Sequence, residues 1–340
     1  MRVTFSSITA TSMMTMSTMA QNLSFGADNF YRSNNVTLIP ISFPTLYHSD
    51  VAGNIFVPHD LNRTDAPAII VGHPFGATKE QSANLYAQKL AEQGFVTVSL
   101  DLPYWGTSAG TPRNAVLPDL YAEAYSSAVD FLGTQEFVDR ENIGIVGVCG
   151  SGAFVISAAK IDSRIKAVAT VSMYNHGMLH RTGLGNSRNL TQRQDFIAAA
   201  NAQRWAEVDG SPIAHTDGAP HTTNSTPVGL EFYDFYRTPR GEYTPEGISR
   251  NITTDPTMSS NVKFINFYPF EDIESISPRP MMFVAGDQAH SKEFSEIAFA
   301  RAGEPKEMVW VPNAGHVDLY DRVELIPFAT LTKFFQENLQ

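Results

Sequence analysis

Short unbroken apolar runs along the chain alternate with stretches whose apolar residues recur every three or four positions. The two patterns predict strands and helices in turn. Residues 36–43 and 53–57 read as strands, closed by Pro44 and Pro58. Residues 68–72, Ala-Ile-Ile-Val-Gly, form a continuous run of the kind that fills a sheet covered on both faces. Over 79–93, Ala83, Tyr86, Ala87, Leu90 and Ala91 share one helical face, and Gly94 stops the pattern. A strand at 95–100 follows, then a helix striped by Tyr121, Ala124, Tyr125, Ala128, Val129 and Leu132. A strand at 143–148, a helix at 152–161 and a strand at 167–173 continue the alternation. Strand, helix, strand in this order predicts an α/β fold, its mostly parallel, doubly wound sheet joined by right-handed crossovers.

The alternation then stops for about a hundred residues before resuming with strands at 281–285 and 308–311, a helix near 295–302 and a last helix carrying Phe328, Leu331 and Phe335. The interruption, 175–276, predicts a cap inserted after the sixth strand and lying over the C-terminal edge of the sheet, where open α/β sheets keep their ligands. Its aromatic clusters, Phe232, Tyr233, Phe235 and Tyr236, then Phe264, Phe267, Tyr268 and Phe270, either make the cap's own core or line an apolar pocket. One domain over 36–340 accounts for the pattern, with 1–35 as a disordered leader or weak targeting segment. Residues 1–27 carry one basic residue, Arg2, and no acidic one, and no run of about 7–15 strongly apolar residues follows, so a cytoplasmic protein is expected.

Composition narrows the chemistry. A formal net charge of −11 over 340 residues gives no positive field for nucleic acid or an anionic membrane, and no run of about 20 apolar residues crosses one. A single cysteine, Cys149, excludes an intrachain disulfide and any multi-thiolate metal site. With no Walker-type loop and no dinucleotide fingerprint either, no cofactor and no metal are expected, and the partner is a small-molecule acyl substrate.

That cysteine lies in Gly147-Val148-Cys149-Gly150-Ser151-Gly152-Ala153, where a strand runs directly into a helix. This is the context of a nucleophile elbow, a tight turn that only small neighbours permit. Cysteine replaces the usual serine, and Ser151 stands where a second glycine is common; Ser151 ranks second as nucleophile. The helix N-terminus is expected to lower the thiol's pKa. A base is supplied by His316, directly after the strand at 308–311, and an acid by Asp287, directly after the strand at 281–285. The loop His73-Pro74-Phe75-Gly76 follows the strand at 68–72, so the Phe75 and Gly150 N–H groups could face an oxyanion. His73 is read as loop-shaping, and the loop 101–108 as structural.

These residues, with Ala289-His290-Ser291 and Ala314-Gly315-His316-Val317-Asp318-Leu319-Tyr320, resemble the α/β-hydrolase superfamily over about 36–340, and within it the branch similar to dienelactone hydrolases. The resemblance implies a Cys-His-Asp triad at Cys149, His316 and Asp287, acting on an ester, lactone or thioester through an acyl-thioenzyme. One departure affects the acid: the position three after Gly286, where many such enzymes carry it, is Ala289. Glu293, Glu296 and Asp318 are the fallback acids, whereas Asn175, at the alternative site, cannot be an anion. His290 is read as a loop residue or substrate contact. Two other functions share the scaffold: an acyltransferase or product-release enzyme, and a non-catalytic binding protein.

Overall fold

A computed structural model describes residues 26–61 and 64–340. The chain opens with a hairpin, β1 (Val36–Pro44) and β2 (Asp50–Pro58), followed by β3 (Ala66–Gly72), α1 (Ala83–Ala91), β4 (Val96–Leu100), α2 (Pro118–Gly133), β5 (Val138–Val148), α3 (Gly150–Ile161) and β6 (Ile165–Val171). After β6 come only helices, among them α4 (His176–Thr182), α5 (Leu190–Val208), α6 (Pro227–Tyr236) and α7 (Met258–Asn261). The sheet resumes with β7 (Met281–Gly286), α8 (Lys292–Arg301) and β8 (Lys306–Val311), and α9 (Asp318–Asp321) and α10 (Phe328–Asn338) end the chain.

The eight strands lie in the order β1-β2-β4-β3-β5-β6-β7-β8. β1 and β2 pair antiparallel to each other, β2 meets β4 antiparallel, and β3 to β8 are parallel. Burial on both faces explains the parallel half: every residue of β4 and β7 is buried, Thr97 and Ser99 of β4 included, because helices cover both faces. β8, at the edge, alternates and leaves Trp310 41% exposed. The chain leaves β3 towards β4 and returns to β5 on β3's other side, so the order reverses at the β3–β5 boundary. Loops leaving two strands that diverge this way open a crevice between them, and both the Phe75 loop and the Cys149 turn rise from it.

The predicted helix at 79–93 starts later than expected. The Lys79 N–H donates to Asp101 Oδ1 at 2.7 Å and Ser82 takes φ 70°, so the first helical turn is lost to the loop. Residues 26–35, expected in the leader, are fastened to the domain: Ala27 bridges Arg322, Ser82 N–H donates to Asn29 Oδ1 at 2.6 Å, and Asn29 Nδ2 donates to Glu80 O at 3.1 Å. The rest of the expected leader and its targeting character fall on residues 1–25, outside the described residues. Among the described residues no helix is long and apolar enough to cross a membrane.

Candidate active site

Cys149 closes β5 and opens α3 with φ 54° and ψ −120°, a conformation that costs an L-residue about 1–3 kcal/mol. It persists because the backbone on both sides is committed. Cys149 N–H donates to Val171 O at 2.9 Å, and Cys149 O accepts from Gly152 N–H at 3.0 Å and Tyr174 N–H at 2.9 Å. A Cβ on Gly147 would sit 2.4 Å from Ser151 O, so only glycine lets the strand press so closely on the helix. Ser151, the second-ranked nucleophile, faces the wrong way: its hydroxyl donates to His73 O and accepts from Tyr125 at 2.8 Å.

Burial and three nearby groups act on the Cys149 thiol in opposite senses: the N–H groups of Phe75 and Gly150 and the hydroxyl of Tyr320 each favour its thiolate. Burial outweighs them and pushes the thiol up to about 11. This reverses the expectation from the helix N-terminus, because taking a thiolate out of water costs more than one helix end returns. The Phe75 loop is fixed by His73, whose Nε2 accepts from Leu102 N–H at 3.2 Å while Nδ1 donates to Pro74 O at 2.7 Å. Asp101 accepts from Lys79 Nζ at 2.8 Å and Thr107 N–H at 2.9 Å and serves the neighbouring loop, as expected.

His316 stands after β8 as predicted and is fully buried. Its Nδ1 meets Ser291 Oγ at 2.6 Å and its Nε2 meets Tyr320 Oη at 2.9 Å. The acid assignment therefore needs correction: Asp287 is not at His316. Its Oδ1 accepts from Asn313 N–H at 2.8 Å and from Gln288 Nε2 at 3.2 Å, because the turn after Gly286 carries it over the β8 loop. The fallback acids do not reach His316 either. Glu293 accepts from Gly185 N–H, Asp318 accepts from Gly315 N–H and pairs with Arg322, and Glu296 is exposed. Asn175 caps α4 by accepting from Met178 N–H at 3.0 Å. With no carboxylate hydrogen-bonded to it among the described residues, His316 is held well below the usual histidine range by burial, then by His290 and His176.

Cys149 opens into a cavity of about 200 Å³ whose walls include Phe75, Tyr174, Phe232, Tyr236 and Tyr320. The cap aromatics thus divide between the two roles left open. Phe232 and Tyr236 line the cavity from α6, while Phe264, Phe267 and Phe270 are buried in packing. His290 is not a solvated loop residue: its ring lies 4.7 Å from that of His316, with Glu231 Oε2 3.5 Å from its Nδ1.

Four residues at the site were missed from sequence. Ser291 stood inside a quoted motif without a role, and Tyr320 is four residues after His316. His176 and His180, a His-x-x-x-His pair on α4, also line the cavity. This pair corrects the expectation that the chain holds no His-x-x-x-His spacing. His176 Nε2 is buried with no partner and lies over Gly150, 3.0 Å from where a Cβ would stand. His180 donates to His176 O at 2.7 Å and is pushed down to about 4 by burial. Among the described residues, Asp217, His221 and Asp255 could together offer three metal ligands. Arg237 already fills that role of cation, with Nη2 3.1 Å from His221 Nε2 and 3.5 Å from Asp255 Oδ1.

A family model described as the alpha/beta hydrolase family matches residues 68–326. Uncharacterized protein PA2218 of Pseudomonas aeruginosa is 40% identical over 300 residues, 88% of this chain and 80% of that protein. Its crystal structure superposes with a TM-score of 0.86 at 38% identity, covering 94% of this chain and 99% of that one. The thiohydrolase aneE of Aspergillus aculeatus is 26% identical over 286 residues, 82% of this chain and 86% of its own. The polyketide transferase claH of Penicillium crustosum is 23% identical over 257 residues, 74% and 80% of the two chains.

Proposed function

The chain belongs to the alpha/beta hydrolase family and is an enzyme with hydrolase activity, and from that premise we propose that it cleaves a neutral ester, lactone or thioester through an acyl-thioenzyme on Cys149. The carrying observation is the turn at Cys149: a strained elbow that opens into the same cavity as Tyr320, whose hydroxyl is bonded to a buried histidine. His316 acts as the base, and Ser291 orients it in place of the usual carboxylate. Once the sulfur bonds to the acyl carbon, the Phe75 and Gly150 N–H groups would receive the carbonyl oxygen. A neutral acyl group fits because, among the described residues, no lysine or arginine lines the cavity and Asp217 does. The likeness to a thiohydrolase supports the thioester within this set.

Transfer to an alcohol in place of water is the second reading, favoured by the likeness to a polyketide transferase. Both readings share every step up to the acyl-enzyme. Turnover of p-nitrophenyl acetate and of short-chain acyl thioesters, with intact-mass detection of the adduct, tests them. Cys149→Ala should abolish both turnover and adduct, and unchanged turnover would overturn the assignment. Products formed with and without an added alcohol separate hydrolysis from transfer.

A further inference from the structure

We propose that His176 is a substrate-binding residue whose imidazole Nε2 holds an oxygen on the acyl group, so that preferred substrates carry a hydroxyl or keto oxygen on the carbons next to the reacting carbonyl. This rests on the acyl-enzyme reading at Cys149 and adds what the acyl group must carry. His176 opens α4, and its ring forms part of the wall of the cavity that holds Cys149 and Phe75. Its Nε2 is buried and has no hydrogen-bond partner among the described residues. A buried polar atom left unpaired costs free energy and calls for an explanation. The residue as a whole is half-buried and faces a cavity, so the missing partner can arrive with the ligand.

The surroundings hold that ring in place. It stacks on Phe264 with centroids 4.8 Å apart, meets Phe75 edge-on at 4.6 Å and lies 5.2 Å from the Tyr174 ring. The short helix beneath it is tied down as well. His180, one turn on, donates from Nδ1 to His176 O at 2.7 Å, and Arg181 Nη1 donates to Ile265 O at 2.9 Å and Phe267 O at 2.7 Å. A ligand oxygen therefore meets a nitrogen already in position, and little side-chain freedom is lost on binding.

Position ties that nitrogen to the reacting end of the substrate. Nε2 and Cδ2 lie 3.0 and 3.1 Å from where a Cβ on Gly150 would stand, and Gly150 directly follows Cys149. An acyl carbon bonded to the Cys149 sulfur is thus only a few bonds from an oxygen at Nε2, which places that oxygen on the first carbons of the chain and not at its far end. Charge sets the kind of oxygen. Burial, then His180, holds His176 well below the usual histidine range, so the ring is neutral at neutral pH and offers one donor and one acceptor. A neutral hydroxyl or carbonyl satisfies it, and a carboxylate gains no opposite charge. A plain alkyl chain could fill the space between Leu179 and Phe232 but would leave Nε2 unpaired, and that penalty separates it from its oxygenated counterpart.

The test compares N-acetylcysteamine thioesters that differ by one oxygen, β-hydroxybutyryl against butyryl and lactyl against propionyl, on the full chain. The wild type should prefer the hydroxylated member of at least one pair by about tenfold in kcat/KM, with the difference carried by KM. His176→Phe should bring that ratio close to unity, and His176→Gln, which keeps an N–H at similar reach, should restore part of it, as it would not if the ring were merely structural. A second measurement needs only the wild-type fold and decides the matter if His176→Phe does not fold. In a chain with isotope-labelled histidine nitrogens, the His176 Nε2 resonance should shift on adding β-hydroxybutyramide and stay in place with butyramide. A wild-type ratio close to unity for both pairs, a preference that survives His176→Phe, or an Nε2 resonance that ignores the hydroxylated amide overturns the role of His176 alone. A wild-type chain that turns over neither pair and takes no acyl adduct at Cys149 overturns the nucleophile as well.

Discussion

The two halves of the active site are built on different principles. The half at the β3–β5 boundary, with Phe75, Cys149 and Gly150, is fixed by backbone: a strained φ, a glycine that admits no Cβ, and N–H groups whose directions follow from the strand ends. The half after β7 and β8, with His316, Ser291 and Tyr320, is fixed by side chains meeting across separate loops. Backbone constraints leave a local signature, whereas side-chain partnerships across loops leave almost none. The first half is a strained turn hemmed in by glycines, and in the second two hydroxyls meet the nitrogens of His316.

Substitutions that attack the second half measure how far it has departed. His316→Ala removes the proposed base and should lower kcat/KM by about 10³-fold with little change in KM, in steady-state assays. A loss under about tenfold would mean that the side-chain half is dispensable.

Acid should unfold the protein through the same region. His316, His176 and His180 are all held below the ordinary histidine value by burial, so the unfolded chain binds protons that the folded chain refuses. Stability is therefore full above about pH 6.5 and falls with decreasing pH towards the value of about 4 held by His180. The limiting slope for three such groups is about 4 kcal/mol per pH unit. Urea midpoints taken at half-unit steps of pH should show the fall; a flat curve between pH 6.5 and 5 would show that the three rings are solvated.

Ser291→Ala deletes one neutral hydrogen bond and should cost about 1 kcal/mol in the transition state, five- to tenfold in kcat. Ser291→Asp should act in the opposite sense on charge, raising His316's affinity for a proton and speeding Cys149 alkylation at neutral pH. Asp287→Ala should be the mildest, leaving kcat/KM within about threefold while lowering the melting temperature through loss of the bond from Asn313 N–H. A large catalytic loss there would restore the acid role that the geometry withholds.

The same contrast explains what could be read in advance. The strand–helix alternation, the interval between β6 and β7 and the cysteine at the elbow all follow from local apolar spacing and small residues. His316 was legible because a histidine directly after the last strand has one obvious use. Asp287 was misread because a single acidic residue at the right strand end says nothing of which way the turn carries it. Ser291 and Tyr320 were invisible as partners, since a hydroxyl has no distinguishing pattern until the loops are folded together. The thiol's pKa was misjudged because the helix end is a local feature and burial is not. Asn29 and Ala27, too polar or small to announce an element, turned out to anchor the chain's early residues to α1's approach and to Arg322.

The raised pKa of the Cys149 thiol also bears on survival under oxidative stress. A thiol near 11 is ionised in only about one molecule in 10⁴ at pH 7, and peroxide attacks the thiolate, so sulfenic acid forms slowly at rest. An exposed low-pKa cysteine must be repaired or guarded by a second thiol, and this chain has no second cysteine to resolve a sulfenate as a disulfide. Keeping the sulfur protonated is the protection that a chain with one cysteine can carry within itself.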